Sequence, residues 1–140
     1  MGDEDLIEIF ESVQTIALVG YSANPARPSH RVAQFLKDKG YRVIPVNPGL
    51  AGQQALGETV YANLTDIPNN VVVDMIDIFR RPEAVTEIVE EALAELPGLR
   101  HVWMQLGVIN EEAADLARRA GKAVIMDRCP AIEYPRVMQG

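Results

Sequence analysis

The chain has 140 residues, 48% of them hydrophobic, which is enough apolar side chain for one self-supporting core of ordinary domain size. Its 13 Lys and Arg against 20 Asp and Glu leave a net charge of −7, which disfavours nucleic acid and anionic membranes as partners. A single cysteine excludes an intramolecular disulfide and a cysteine-rich zinc site, and no apolar run approaches the ~18 residues of a membrane span.

The opening, MGDEDLIEIF, is acidic where a secretory signal needs basic residues, so the expectation is a soluble cytoplasmic protein, one domain over residues 1–140. Between Asp3 and Gln14, the residues Leu6, Ile7, Ile9, Phe10 and Val13 recur at helical spacing, with acids in the first turn. Thr15 to Gly20 is a short apolar run ended by glycine and reads as a buried strand. A helical pattern begins at Ser29, runs through Val32, Phe35 and Leu36, and closes at Gly40. Tyr41 to Val46 is a second strand, broken off by Asn47-Pro48-Gly49. From Leu50 to Pro68 the pattern is weak, with a short edge strand at Thr59-Val60-Tyr61 and a turn at Asp66-Ile67-Pro68.

Val71 to Ile78 is the most hydrophobic run and a third strand. Pro82 then occupies a first helical position, where its missing donor costs nothing, and a helix follows through Val85, Ile88, Val89 and Leu93. His101 to Met104 is the fourth strand. Asn110 supplies an N-cap for Glu111 to Ala120, and Ala123 to Met126 is the fifth and last strand. Strands alternating with helices imply parallel pairing and right-handed crossovers, and strands without polar alternation imply cover on both faces. The expected fold is therefore a Rossmann-like, doubly wound α/β domain with an N-terminal helix. A strand order of 3-2-1-4-5 is favoured over 2-1-3-4-5.

In such sheets ligands sit at the carboxyl ends of the strands, where the strand order reverses. The loop Gly20 to Ser29 is long, polar and leads into a helix start, the arrangement that binds phosphate oxygens. Ser22, Asn24 and Ser29 can donate hydrogen bonds there, and Arg27 offers a planar fork. The G-x-G-x-x-G fingerprint is absent, Asn47 stands where a ribose-binding acid is wanted, and no triphosphate loop occurs, so NAD and ATP are poor candidates. Phe79, Arg80 and Arg81 end the third strand with a stacking surface and two guanidinium groups. Gln105 and Gly107 end the fourth. His30 and His101 have no evident carboxylate partner, and no ligand cluster for a metal is apparent. No catalytic residue is assigned.

The ordered set Val19-Gly20-Tyr21-Ser22, Arg27-Pro28-Ser29, Val46-Asn47-Pro48, Asp77-Ile78-Phe79-Arg80, Trp103, Gln105, Gly107 and Asp127-Arg128-Cys129 resembles the small stand-alone bacterial coenzyme A-binding proteins. Those proteins share the fold of the N-terminal CoA-binding domain of the succinyl-CoA synthetase alpha subunit. The resemblance implies a CoA site along the carboxyl edge of the sheet. Gly20, Ser22, Arg27 and Ser29 would hold the phosphates, with Tyr21 in the same loop. Val46, Asn47 and Pro48 would flank the adenosine, Ile78, Phe79 and Arg80 would form the opposite wall, and Gln105 and Gly107 would lie toward the pantetheine arm. The phosphorylated histidine of the synthetase belongs to a second domain with no counterpart here. The leading expectation is a non-catalytic CoA or acyl-CoA binding module. The alternatives are a CoA-using enzyme or ligase subunit acting through Cys129, and a protein-partner role for the acidic first helix.

Overall fold

The computed structural model describes residues 2–138. Helix α1 (Asp3–Ser12) leads into strand β1 (Thr15–Val19), helix α2 (Pro28–Asp38) and strand β2 (Arg42–Val46). Two short strands, β3 (Gln54–Ala55) and β4 (Glu58–Thr59), form a small antiparallel hairpin. Strand β5 (Met75–Ile78), helix α3 (Val85–Glu95), strand β6 (His101–Met104), helix α4 (Glu111–Arg119), strand β7 (Ala123–Ile125) and helix α5 (Pro130–Met138) follow.

The five long strands are all parallel, in the order β2-β1-β5-β6-β7. This corrects the expected 3-2-1-4-5, which would put β5 outside β2. Two features favour the observed order. The Asp74 carboxylate, just before β5, accepts from the Gln14 and Thr15 N–H groups at 3.0 Å each, and the Asp74 N–H donates to the Thr15 carbonyl. Those bonds lock the start of β5 beside β1. Pro45 lies in β2 and turns its carbonyl outward to Tyr61 N–H, so its missing donor faces the edge, where no continuous strand requires it. Tyr61 adds a single parallel bridge to Val46, which covers that edge without extending the sheet.

Side chains alternate along each strand and build a core on both faces. Ile16, Leu18, Met75, Trp103 and Ile125 pack with Leu6, Phe10 and Leu36 under α1, α2 and α5. Ala17, Ile44, Ile76, Val102 and Val124 pack with Val89 and Ala117 under α3 and α4. Helix α5 was not anticipated from the sequence, and it contains Pro135. Tertiary contacts hold it in place. The Tyr134 ring meets Phe10 edge-on at 5.1 Å and Phe35 at 5.8 Å, and Arg136 pairs with both Asp3 and the buried Glu133. No helix among the described residues is long and apolar enough to cross a membrane.

Candidate functional site

With β1 and β5 adjacent, the order reverses between them: α2 leaves β1 on one face and α3 leaves β5 on the other. A crevice opens above this point, at the carboxyl ends of both strands. Its floor is a backbone contact that only glycine permits. Gly20 ends β1 with φ +93°, and a Cβ placed on it would stand 2.3 Å from the Phe79 carbonyl oxygen and 3.2 Å from Arg80 Cδ. The Arg80 stem therefore rests directly on the β1 turn.

The loop after Gly20 is organised by its own polar groups. Ser22 Oγ accepts from Asn24 N–H at 3.1 Å, Asn24 Oδ1 accepts from Ala26 N–H at 3.0 Å, and His30 Nδ1 lies 3.0 Å from the Ser22 carbonyl. Tyr21 is buried against His30, and burial raises its phenol above the ordinary value, which keeps it neutral. Asn47 is fully used as a tie: its Nδ2 donates to the Tyr21 carbonyl at 2.6 Å and its Oδ1 accepts from Gly49 N–H at 2.8 Å. Helix α2 begins at Pro28, with Arg27 in the N-cap position and no side-chain cap, so Ser29 lies in the first turn instead of opening the helix. The first turn contains no acid. The partial positive charge of this helix end is therefore unopposed by its own side chains.

Two depressions meet over Phe79. The smaller, of about 360 Å³, is lined by Gly20, Tyr21, Ser22, Arg27, Pro28, Ser29, Asn47 and Phe79. The larger is a groove of about 800 Å³, bordered by Phe79, Arg80, Gln105, Gly107 and Cys129 and walled by the inward face of α2 and the start of α5. Pro28 and Phe79 belong to both. Val46 and Pro48 lie apart, in a small recess shared with Arg80. Ile78 is fully buried in the core, so its side chain offers nothing to a ligand, contrary to the expectation of a wall residue. Gly107 N–H is already taken by Asp127 Oδ1 at 2.7 Å, and Asp127 holds a left-handed conformation, φ +62°, to make that bond. The sequence reading put Arg31 among the candidate cations but passed over Val32 and Phe35 as groove residues. Their 3–4 residue spacing shows which side of α2 faces inward, but not that part of that side lies open.

Charge around the crevice is asymmetric. Arg42, Arg100, Arg118, Arg128 and Arg136 each pair with a carboxylate. Among the described residues, Arg27, Arg31, Arg80, Arg81 and Arg119 do not; Arg119 bonds only the Asp115 backbone carbonyl at the end of α4, and the other four border the two depressions. Glu87 and Glu91 lie on the α3 side of Arg80, so an anion is favoured on the α2 side alone. Gln105, which lines the large groove, is only 6% exposed, and its enclosed Oε1 has no hydrogen-bond partner, a costly arrangement. Beneath the floor, Asp77 is fully buried in β5 with neither carboxylate oxygen bonded, and desolvation pushes it well above the usual carboxylate range. Burial thus favours its neutral form, which adds no negative field to the crevice.

Comparison with known proteins shows the family. The family described as CoA binding domain matches residues 14–135. The chain is 37% identical over 131 residues to the uncharacterized protein YneT of Bacillus subtilis (strain 168), covering 93% of this chain and 92% of that one. Among solved structures, a Thermus thermophilus protein titled "The structure of cell-free ID.343" superposes with a TM-score of 0.89 at 38% identity, covering 98% of this chain and 99% of that one. A hypothetical protein from Pyrococcus horikoshii OT3 superposes with a TM-score of 0.90 at 36% identity, covering 99% and 93%.

Proposed function

The chain belongs to the CoA binding domain family, and from that premise we propose that it binds coenzyme A, free or acylated, along the carboxyl edge of its sheet without a catalytic centre of its own. The observation that carries this reading is the gathering of four arginines without acid partners around one crevice of a protein with net charge −7. CoA is an anion with a diphosphate and a ribose phosphate joined to a long arm, and the two joined depressions suit that division. The diphosphate would take the α2 N-terminus with Ser29 and Arg27, and Arg80 would reach across from β5. The arm, which contains two amides, would follow the large groove past the side-chain amide of Gln105.

Charge-assisted hydrogen bonds contribute roughly 1.5–3 kcal/mol each, so two or three of them with apolar contact along the groove support binding near ~1 μM, about 8 kcal/mol. The protein would act in the cytoplasm, where CoA is plentiful. Calorimetric titration with CoA, 3′-dephospho-CoA and NAD tests the reading. CoA should bind most tightly, 3′-dephospho-CoA more weakly, and NAD without measurable heat. Absence of heat with CoA at millimolar concentration, or tighter binding of NAD, would refute it.

A further inference from the structure

The chain's single cysteine, Cys129, follows β7 and stands at the N-terminus of α5, where its carbonyl accepts from Ile132 N–H at 3.0 Å and Glu133 N–H at 2.9 Å. Its thiol is free, and although the residue is only 8% exposed it lines the large groove. The same groove is lined by Gln105, a residue 94% buried whose Oε1 has no hydrogen-bond partner, so a second polar side chain with unmet hydrogen-bonding borders that space. Nearby, Arg128 pairs with Glu133 at 3.1 Å. The positive end of the α5 dipole lies beside the thiol.

Building on the reading that this groove receives the CoA arm, we propose that Cys129 is a thiol–disulfide exchange site for disulfides of coenzyme A. An arm anchored by its phosphates near Arg27 and Arg80 and running past Gln105 has its sulfur at the far end, and Cys129 borders the groove on the α5 side. In the exchange, the Cys129 thiolate attacks the CoA sulfur of a disulfide CoA–S–S–R. The Cys129–S–S–CoA bond forms as the old S–S bond breaks, and R–S⁻ leaves and takes up the proton that Cys129 gave up. One disulfide is consumed and one is made, so no further oxidant enters the step. Bound phosphates hold the two sulfurs at high effective concentration, which a small disulfide without such anchors lacks.

The test uses intact-protein mass spectrometry on the wild-type chain, whose only thiol is Cys129. Symmetrical CoA disulfide should add one CoA, removable by dithiothreitol, at least about tenfold faster than equimolar glutathione disulfide adds glutathione. Arg80→Ala should slow the CoA reaction by a larger factor than the glutathione reaction. No adduct, equal rates for the two disulfides, or indifference of the CoA rate to Arg80→Ala would overturn the proposal. A parallel titration with CoA in reductant separates the two ideas. Heat without adduct formation defeats the exchange alone, whereas absence of heat defeats the binding reading with it.

Discussion

Replacing Gly20 with alanine puts the crevice floor to a quantitative test. The residue has φ +93°, where an L side chain costs about 1–2 kcal/mol. The new Cβ would also meet the Phe79 carbonyl oxygen at 2.3 Å, and because that atom is backbone it cannot swing aside. The end of β5 must move, straining the 2.8 Å bond from Phe79 N–H to the Val19 carbonyl, and losing such a bond costs about 0.5–1.5 kcal/mol. Together these give a loss of about 1.5–3.5 kcal/mol for Gly20→Ala. Gly40 is the matched control: its φ is +99° and a Cβ there meets nothing within 4 Å, so Gly40→Ala carries the strain alone. Urea unfolding of the two variants beside wild type should show Gly20→Ala the weaker by roughly 1 kcal/mol or more, and its Tm lower than that of Gly40→Ala by at least about 3 °C. Equal losses would mean that the β1 turn and the β5 end are not in contact, and the geometry derived for the site would be wrong.

Arg80→Ala should weaken CoA binding by about 10–100-fold, the equivalent of one charge-assisted hydrogen bond, while leaving the Tm unchanged because the side chain is exposed; calorimetry and thermal melting read the two effects separately. Gln105→Met should act in opposite directions. Removing a buried, unpaired oxygen should stabilise the free protein by about 1 kcal/mol, and losing the side-chain amide that borders the groove should lower CoA affinity, so a fall in both would contradict the role given to Gln105. Asp77 makes a pH prediction. The unfolded carboxyl ionises near 3.8 while burial holds the folded one protonated well above that, so the folded state retains a proton that the unfolded state has lost. The stability of the native state is then greatest below about pH 4 with respect to this group, and declines by up to ~1.4 kcal/mol per pH unit until the folded carboxyl ionises. Asp77→Asn removes that slope, and a wild-type stability curve parallel to that of the variant above pH 4 would refute the assignment.

The five strands of the parallel sheet and helices α1 to α4 were legible because each has an apolar pattern and a chemical boundary such as Gly20, Gly40 or Asn110, whereas the hairpin of β3 and β4 was not. Helix α5 was not, because Pro130 and Pro135 argue locally against a helix, and only the aromatic contacts of Tyr134 and the pairing of Arg136 with Asp3 overrule them. Strand order was misjudged through a signal that was present. Pro45 in the second strand disfavours an interior position, and the buried Asp74 points to a partner at Gln14 and Thr15, but side-chain-to-backbone bonds 60 residues apart are not readable from spacing. The loop Gly20–Ser29 and the pair Phe79–Arg80 could be found by the strand-end rule alone. The apolar groove could not, because Val32, Phe35, Val108 and Ile132 look like core residues until the tertiary packing leaves space between them.

A crystal structure of the protein with coenzyme A tests the proposed site most directly. The diphosphate should lie between the N-terminus of α2 and Arg80, with the arm passing Gln105 and its sulfur directed to Cys129. A nucleotide bound on the α3 side beside Glu87 and Glu91, or at the opposite edge of the sheet, would contradict the proposal.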